Sequence, residues 1–163
     1  MLLGWREWVS LPALGVGSIK AKIDTGARSS ALHAFDLELD QRKGKTFARF
    51  RIHPLQSGPG PAIKARAEVA EFRKVKSSSG HATLRPVILT QLEVSGTRWP
   101  IELTLANRDE MGFRLLLGRQ ALRGQAVVDP SRSFVAGRPP QQGKASGKEL
   151  SPDERLRGGR ASG

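Results

Sequence analysis

The 163-residue chain carries 27 Lys and Arg against 15 Asp and Glu, a formal charge of +12, and it contains no cysteine. Its length holds one domain with a real core and is short for two. The missing cysteines exclude a disulfide framework and a thiolate zinc site, so nothing demands an oxidising compartment and a cytoplasmic location is expected. The positive charge raises nucleic acid as a partner, but only Lys43 to Lys45, Arg73 to Lys76 and roughly the last twenty residues are dense in it, and no interleaved aromatics or zinc-finger spacing accompany them. A basic surface that docks on an acidic partner fits better than specific nucleic-acid recognition.

The start, MLLGWREWVSL, is too short in apolar residues and too charged for the core of a signal peptide, and no later run approaches a membrane span. From there most of the chain alternates with a period of two. Ile19, Ala21 and Ile23 oppose Lys20 and Lys22; Phe50 and Ile52 oppose Arg49 and Arg51; Trp99, Ile101, Leu103 and Leu105 oppose Pro100, Glu102 and Thr104. These segments predict half-buried strands. Pro100 removes a ladder donor, so its strand is expected to lie at an edge or to begin there. Turns are expected at Gly15 to Gly17, Arg42 to Gly44, Ser57 to Pro61, Ser77 to Gly80, Ser95 to Gly96 and Gly124. Short helices are expected at Gly118 to Arg123 and at Ser29 to Ala34, the latter capped by Ser29 and Ser30. After Gly137 the sequence is rich in Pro, Gly, Ser and charge, with too little apolar surface to offset the entropy of ordering, so residues 138–163 are expected to form a disordered basic tail behind a domain of residues 1–137.

Two segments carry chemistry. The first, Ala21 to Ala34, reads AKIDTGARSSALHA. A strand delivers Asp24 to a fixed place, Gly26 permits a sharp turn, and the Thr25 hydroxyl is suited to bracing the loop. Asp24 could equally make an Asx-turn or cap the helix expected after it. The second, Phe113 to Leu122, reads FRLLLGRQAL, an apolar triplet, then Gly118 and Arg119, then the first turn of a helix.

Together, an Asp-Thr-Gly-Ala loop after a strand and an apolar-apolar-Gly-Arg segment roughly ninety residues later resemble the retropepsins. With Trp5 to Val9 (WREWV) and Asn107 to Met111 (NRDEM) around them, they are similar to the bacterial family that carries the label of ATP-dependent zinc proteases, over about Trp5 to Gly137. The resemblance implies a mostly β, retropepsin-like acid-protease barrel with one or two short helices, in which Asp24 is the catalytic acid supported by Thr25 and Gly26. It implies that Ala27 and Arg28 meet substrate, that Gly118 and Arg119 are structural, and that a flap falls within Ser77 to Arg85, where Gly80 gives a mobile tip and His81 reaches substrate. One Asp-Thr-Gly per chain then requires a second copy of the chain as partner. Where many retropepsins place an acid to pair with the Gly-Arg arginine, this chain has Arg28. Arg28 and Arg119 are therefore expected to repel each other, to be neutralised by an acid such as Asp129, or to form a cleft for an acidic substrate.

The family's association with a ribosomal-protein glutamate ligase implies a peptide or protein substrate with an acidic tail, and a ribosomal protein or that ligase as partner. Its label of zinc and ATP finds no support in the residues. There is no His-Glu-x-x-His, the histidines His33, His53 and His81 are far apart in the sequence, and no phosphate-cradling Gly-x-x-x-x-Gly-Lys loop is present, so no metal and no cofactor is expected. The rival to a peptidase is an inactive module of the same shape that binds an acidic or ribosomal partner.

Overall fold

Alternation becomes strands in the computed structural model, which describes residues 1–54, 61–76, 79–107 and 112–137. The expected tail, most of the Ser57 to Pro61 turn, the start of the flap segment at residues 77–78 and the acidic part of Asn107 to Met111 lie outside those residues. In chain order the elements are β1 (Leu2–Leu3), β2 (Arg6–Leu11), a 3-10 turn (Pro12–Leu14), β3 (Val16–Ile23), β4 (Ala31–His33), β5 (Phe35–Arg42), β6 (Lys45–Ile52), β7 (Ile63–Lys76), β8 (Ala82–Val94), β9 (Thr97–Ala106), β10 (Leu115–Leu117), α1 (Arg119–Leu122) and β11 (Val127–Val128).

Nine strands form one sheet in the order β2-β3-β10-β4-β9-β8-β7-β6-β5, and a further pairing of β2 with β8, Ser10 opposite Glu93, closes its first six strands into a barrel. The expected mostly β barrel with a short helix is thus what the chain forms. Its lumen is filled by the inward set of each strand, including Val9, Leu11, Ile19, Leu32, Leu92, Leu103 and Leu115, all buried. Each such side chain contributes about 1.5–3 kcal/mol. The hairpins turn where the sequence allows a left-handed backbone. Lys43 and Gly44 join β5 to β6, and Ser95 and Gly96 join β8 to β9, each pair with both φ angles positive. That two-residue geometry matches the twist of the strands it joins.

Three expectations are corrected. Ser29 to Ala34 is no helix: Ala31–His33 is β4, paired antiparallel with β10 and parallel with β9. Accordingly Ser29 and Ser30 cap no helix there. Thr104, expected to face solvent, is buried, because the last residues of β9 lie between β4 and β8 and have neighbours on both sides. Pro100 does not begin its strand, which starts at Thr97, but it does sit where β9 has a partner on one side only, since pairing with β4 starts at Thr104. The missing N–H therefore costs no ladder bond.

One buried carboxylate organises the chain ends. Glu7 follows the same inward phase as Val9 and Leu11 and is fully buried. Its oxygens accept hydrogen bonds from the backbone N–H groups of Gly4 (2.6 Å), Val135 (3.0 Å) and Ala136 (3.0 Å). These bonds stitch the C-terminal part of the domain onto β2. Gly4 is obligatory beside it, because a Cβ there would stand 2.3 Å from the carbonyl oxygen of Arg132.

Candidate active site

β3 runs parallel to β10, with Ile23 opposite Leu117. The backbone N–H of Asp24, just beyond β3, donates to Leu117 O at 2.8 Å, so the chain leaves both strands at one level and the two loops that follow pack on each other. Asp24 is half-buried. Its Oδ1 accepts the N–H of Gly26 at 3.0 Å and its carbonyl accepts that of Ala27 at 3.2 Å. Gly26 is the residue that leaves room for the carboxylate, since a Cβ there would lie 3.1 Å from Oδ1.

The loop from Thr25 to Ser30 is then gripped by Gly118 to Gln120. Arg119 donates from Nη1 to the carbonyl oxygens of Thr25 (3.0 Å) and Gly26 (3.1 Å). The N–H of Arg119 reaches Ala27 O at 2.8 Å, and that of Gln120 reaches Arg28 O at 3.1 Å. The N–H of Gly118 donates to the buried Ser30 Oγ at 3.0 Å. Helix α1 has no side-chain cap; the carbonyls of the Asp24 loop serve its free N–H groups instead, meeting the need that every helix start carries. Gly118 allows this approach, for a Cβ there would stand 2.4 Å from Ser29 O and 2.8 Å from Ala27 O. On β9, Trp99 Nε1 donates to Ala121 O at 2.8 Å and fixes the far side of the helix.

The arrangement presents one carboxylate on a loop with little freedom, the condition for a group that must meet reacting atoms within fractions of an ångström. Thr25 is exposed, and its carbonyl, which Arg119 holds, supplies the loop's contact. The expected neutralisation of Arg119 by Asp129 does not occur. Asp129 instead accepts from the Ser131 N–H (2.9 Å) and hydroxyl (2.6 Å), bonds that hold its carboxyl below the usual range. Arg28 and Arg119 are not confronted either: Arg28 lies along a depression with Ser29, Arg73, Glu102 and Gln120. Ala27 is half-buried within the loop. Of the expected flap, Ser79 to Arg85 are described: Ala82 to Arg85 begin β8, where Ala82 pairs with Lys76 of β7. Ahead of β8, Gly80 has φ 85° and His81 is exposed.

Two functional contacts escape sequence reasoning. Ser30 was readable only as a cap, and its hydroxyl serves a residue 88 positions away. Glu7 did leave a signal: an acid in the inward phase of an alternating strand. Among the described residues no three His, Cys, Asp or Glu side chains converge into a group that could hold a metal ion. His33 and His53 flank Phe35, with ring centroids 6.4 and 4.5 Å from it, and His81 stands on the hairpin tip, so the described residues do not fit a zinc centre. No helix among them is long and apolar enough to cross a membrane.

An acid loop locked against a Gly-Arg helix start inside a closed β-barrel defines a retropepsin-like, protease-related class. The chain belongs to the family described as "Retropepsin-like aspartic endopeptidase RimB", whose model matches residues 2–139. It is also similar to proteins named "Probable alpha-L-glutamate ligase". The one from Shewanella pealeana is 42% identical over 136 residues, 83% of this chain and 30% of the relative. Those from Desulfotalea psychrophila and Parasynechococcus marenigrum are 38% and 45% identical, over 97% and 84% of this chain and 34% and 29% of theirs. The chain thus spans about a third of the length of the curated relatives it matches. A crystal structure of a Legionella pneumophila protein of unknown function matches with 30% identity and a TM-score of 0.69, covering 83% of this chain and 97% of that one.

Proposed function

We propose that the chain is one half of a homodimeric, cytoplasmic aspartic endopeptidase that cleaves acidic or glutamate-extended protein tails, such as that of a ribosomal protein. The observation that carries this reading is the Asp24 loop: a carboxylate left half-exposed while four hydrogen bonds from Arg119 and Gln120 hold the loop backbone beside it and a fifth, from Gly118, holds the Ser30 hydroxyl.

The chemistry needs two carboxyls, and a twofold axis beside Asp24 supplies the second. The surface suited to that contact is partly apolar: Met1 and Leu2 around β1 and Val127 of β11 are exposed, and Thr25 lines one hollow with Leu122, Ala126 and Val128 beside Arg119 and Arg123. Two carboxyls sharing a site do not both ionise readily, so one proton is held between them. The ionised partner takes a proton from water as its oxygen attacks the peptide carbonyl carbon, and the protonated partner gives its proton to the carbonyl oxygen. Collapse of the tetrahedral diol breaks the C–N bond, with a proton passing to the leaving amine. The names of the relatives support the substrate class, because a hydrolase domain joined to an enzyme named for adding glutamate is suited to trimming what is added.

The test is cleavage of a peptide library that includes polyglutamate ends, by wild type and by Asp24→Asn, each with and without chelator. Cleavage by wild type, a loss of at least about a thousandfold in the variant and indifference to chelator are expected. A strictly monomeric wild-type protein that binds acidic peptides and cleaves none would instead make it an inactive binding module, a reading that the ligase names of the relatives also accommodate.

A further inference from the structure

Resting on that peptidase reading, we propose that Arg28, together with Arg73, forms a side-chain subsite that selects glutamate close to the cleaved bond. Arg28 sits four residues beyond Asp24 on the same gripped loop, with its carbonyl held by the Gln120 N–H. Its guanidinium is exposed and makes no ion pair with the described residues. The other arginine of the motif is not available for substrate, because Arg119 spends its Nη1 on the loop carbonyls.

Arg28 borders a depression of about 340 Å³ whose other walls are Ser29, Arg73, Glu102 and Gln120. The depression shares Ser29, Arg73, Glu102 and Gln120 with a larger cleft of about 410 Å³, where Leu89 and Pro100 add apolar wall. A glutamate side chain needs this combination: apolar surface for two methylenes and fixed donors at the end. Arg73 plays the lesser part, because Glu71 accepts from its Nε (3.1 Å) and its Nη2 and Glu102 accepts from Nη2 at 3.3 Å, which raises its pKa and leaves Nη1 as its donor toward a guest.

Guanidinium groups suit the task because they meet a carboxylate with two parallel donors, which an ammonium does not. Glu102 opposes the guest. Its side chain is half-exposed and touches Arg73 through the longer of that residue's contacts, so its negative charge moderates how tightly an acidic side chain is held.

The test uses two synthetic peptides, one with a run of Glu and one with Gln at the same positions, and reads the ratio of their kcat/KM values. Wild type is expected to favour Glu. Arg28→Ala should lower the ratio about tenfold, chiefly through KM, Arg28→Lys should keep part of it, and Glu102→Gln should raise it about threefold. Arg28→Glu should turn the preference toward a Lys peptide. A ratio unchanged by Arg28→Ala in an enzyme that cleaves both peptides overturns the subsite and leaves the peptidase reading intact. Binding of fluorescent versions of both peptides to Asp24→Asn protein reads the subsite without turnover. A Kd about tenfold tighter for Glu, lost on adding Arg28→Ala, supports it even if wild type cleaves nothing; equal Kd values overturn it.

Discussion

At one end of the nine-stranded sheet, β3, β10, β4 and the last residues of β9 have strand partners on both sides and bury most of their side chains, with Lys22 an exposed exception. At the other end, β6 buries one face, β7 half-buries one and β5 at the edge has no buried residue, and on the side open to water Arg49 faces Arg66 and Arg51 faces Lys64 across the ladder. There the charges are relieved locally: Arg49 meets Glu38 at 3.1 Å, Arg51 meets Asp36 at 3.7 Å, and Arg66 lies 4.0 Å over the Phe47 ring. The closed end tolerates no change of volume because its atoms touch backbone, whereas the open end can rearrange side chains into solvent. The candidate catalytic loop is built on the first kind of surface, while β7, which carries Arg73, belongs to the second.

That contrast can be broken by substitution. Gly118→Ala should have the largest effect, about 4 kcal/mol of destabilisation, because the new methyl meets the Ser29 carbonyl at 2.4 Å and neither backbone can yield. A thermal melt followed by circular dichroism would measure it, and a Tm within a few degrees of wild type would contradict the close approach. Glu7→Ala should follow at about 3 kcal/mol, since three backbone N–H groups lose their acceptor at once. Urea titration would read this loss, and hydrogen exchange should quicken at Gly4, Val135 and Ala136 before anywhere else. Arg49→Ala should cost least, within about 1 kcal/mol, because its ion pair with Glu38 is exposed on both sides. A larger loss would mean that the open end is as tightly specified as the closed one.

Much of this was legible in the residues. The alternation of Ile19 to Ile23, of Arg49 to Ile52 and of Trp99 to Leu103 named the inward faces, and the Gly118 to Arg123 segment turned into a helix of one turn where expected. What failed was what depends on distant neighbours. Ala31–His33 is too short to display a period, and it is a strand because β9 and β10 flank it. Thr104 carries a polar side chain that predicts exposure, yet the same insertion of β4 buries it. At the candidate site, Asp24, Gly26 and Gly118 could be singled out, but the grip itself could not. It runs through backbone carbonyls of Thr25, Gly26, Ala27 and Arg28, which any residue possesses and no sequence pattern marks.

The hydrogen bonds from Arg119 to the Asp24 loop span 93 and 94 positions of chain, and β1 pairs with β11 across a similar or greater distance, Leu2 with Val127. Contacts of such long range form late, since the closure entropy of the intervening chain must be met first. A growing polypeptide therefore has no braced Asp24 until the segment around Gln120 has emerged, and no sealed chain ends until Val127 follows. Assembly order alone keeps the acidic loop slack for most of synthesis and makes it rigid only in a nearly finished domain.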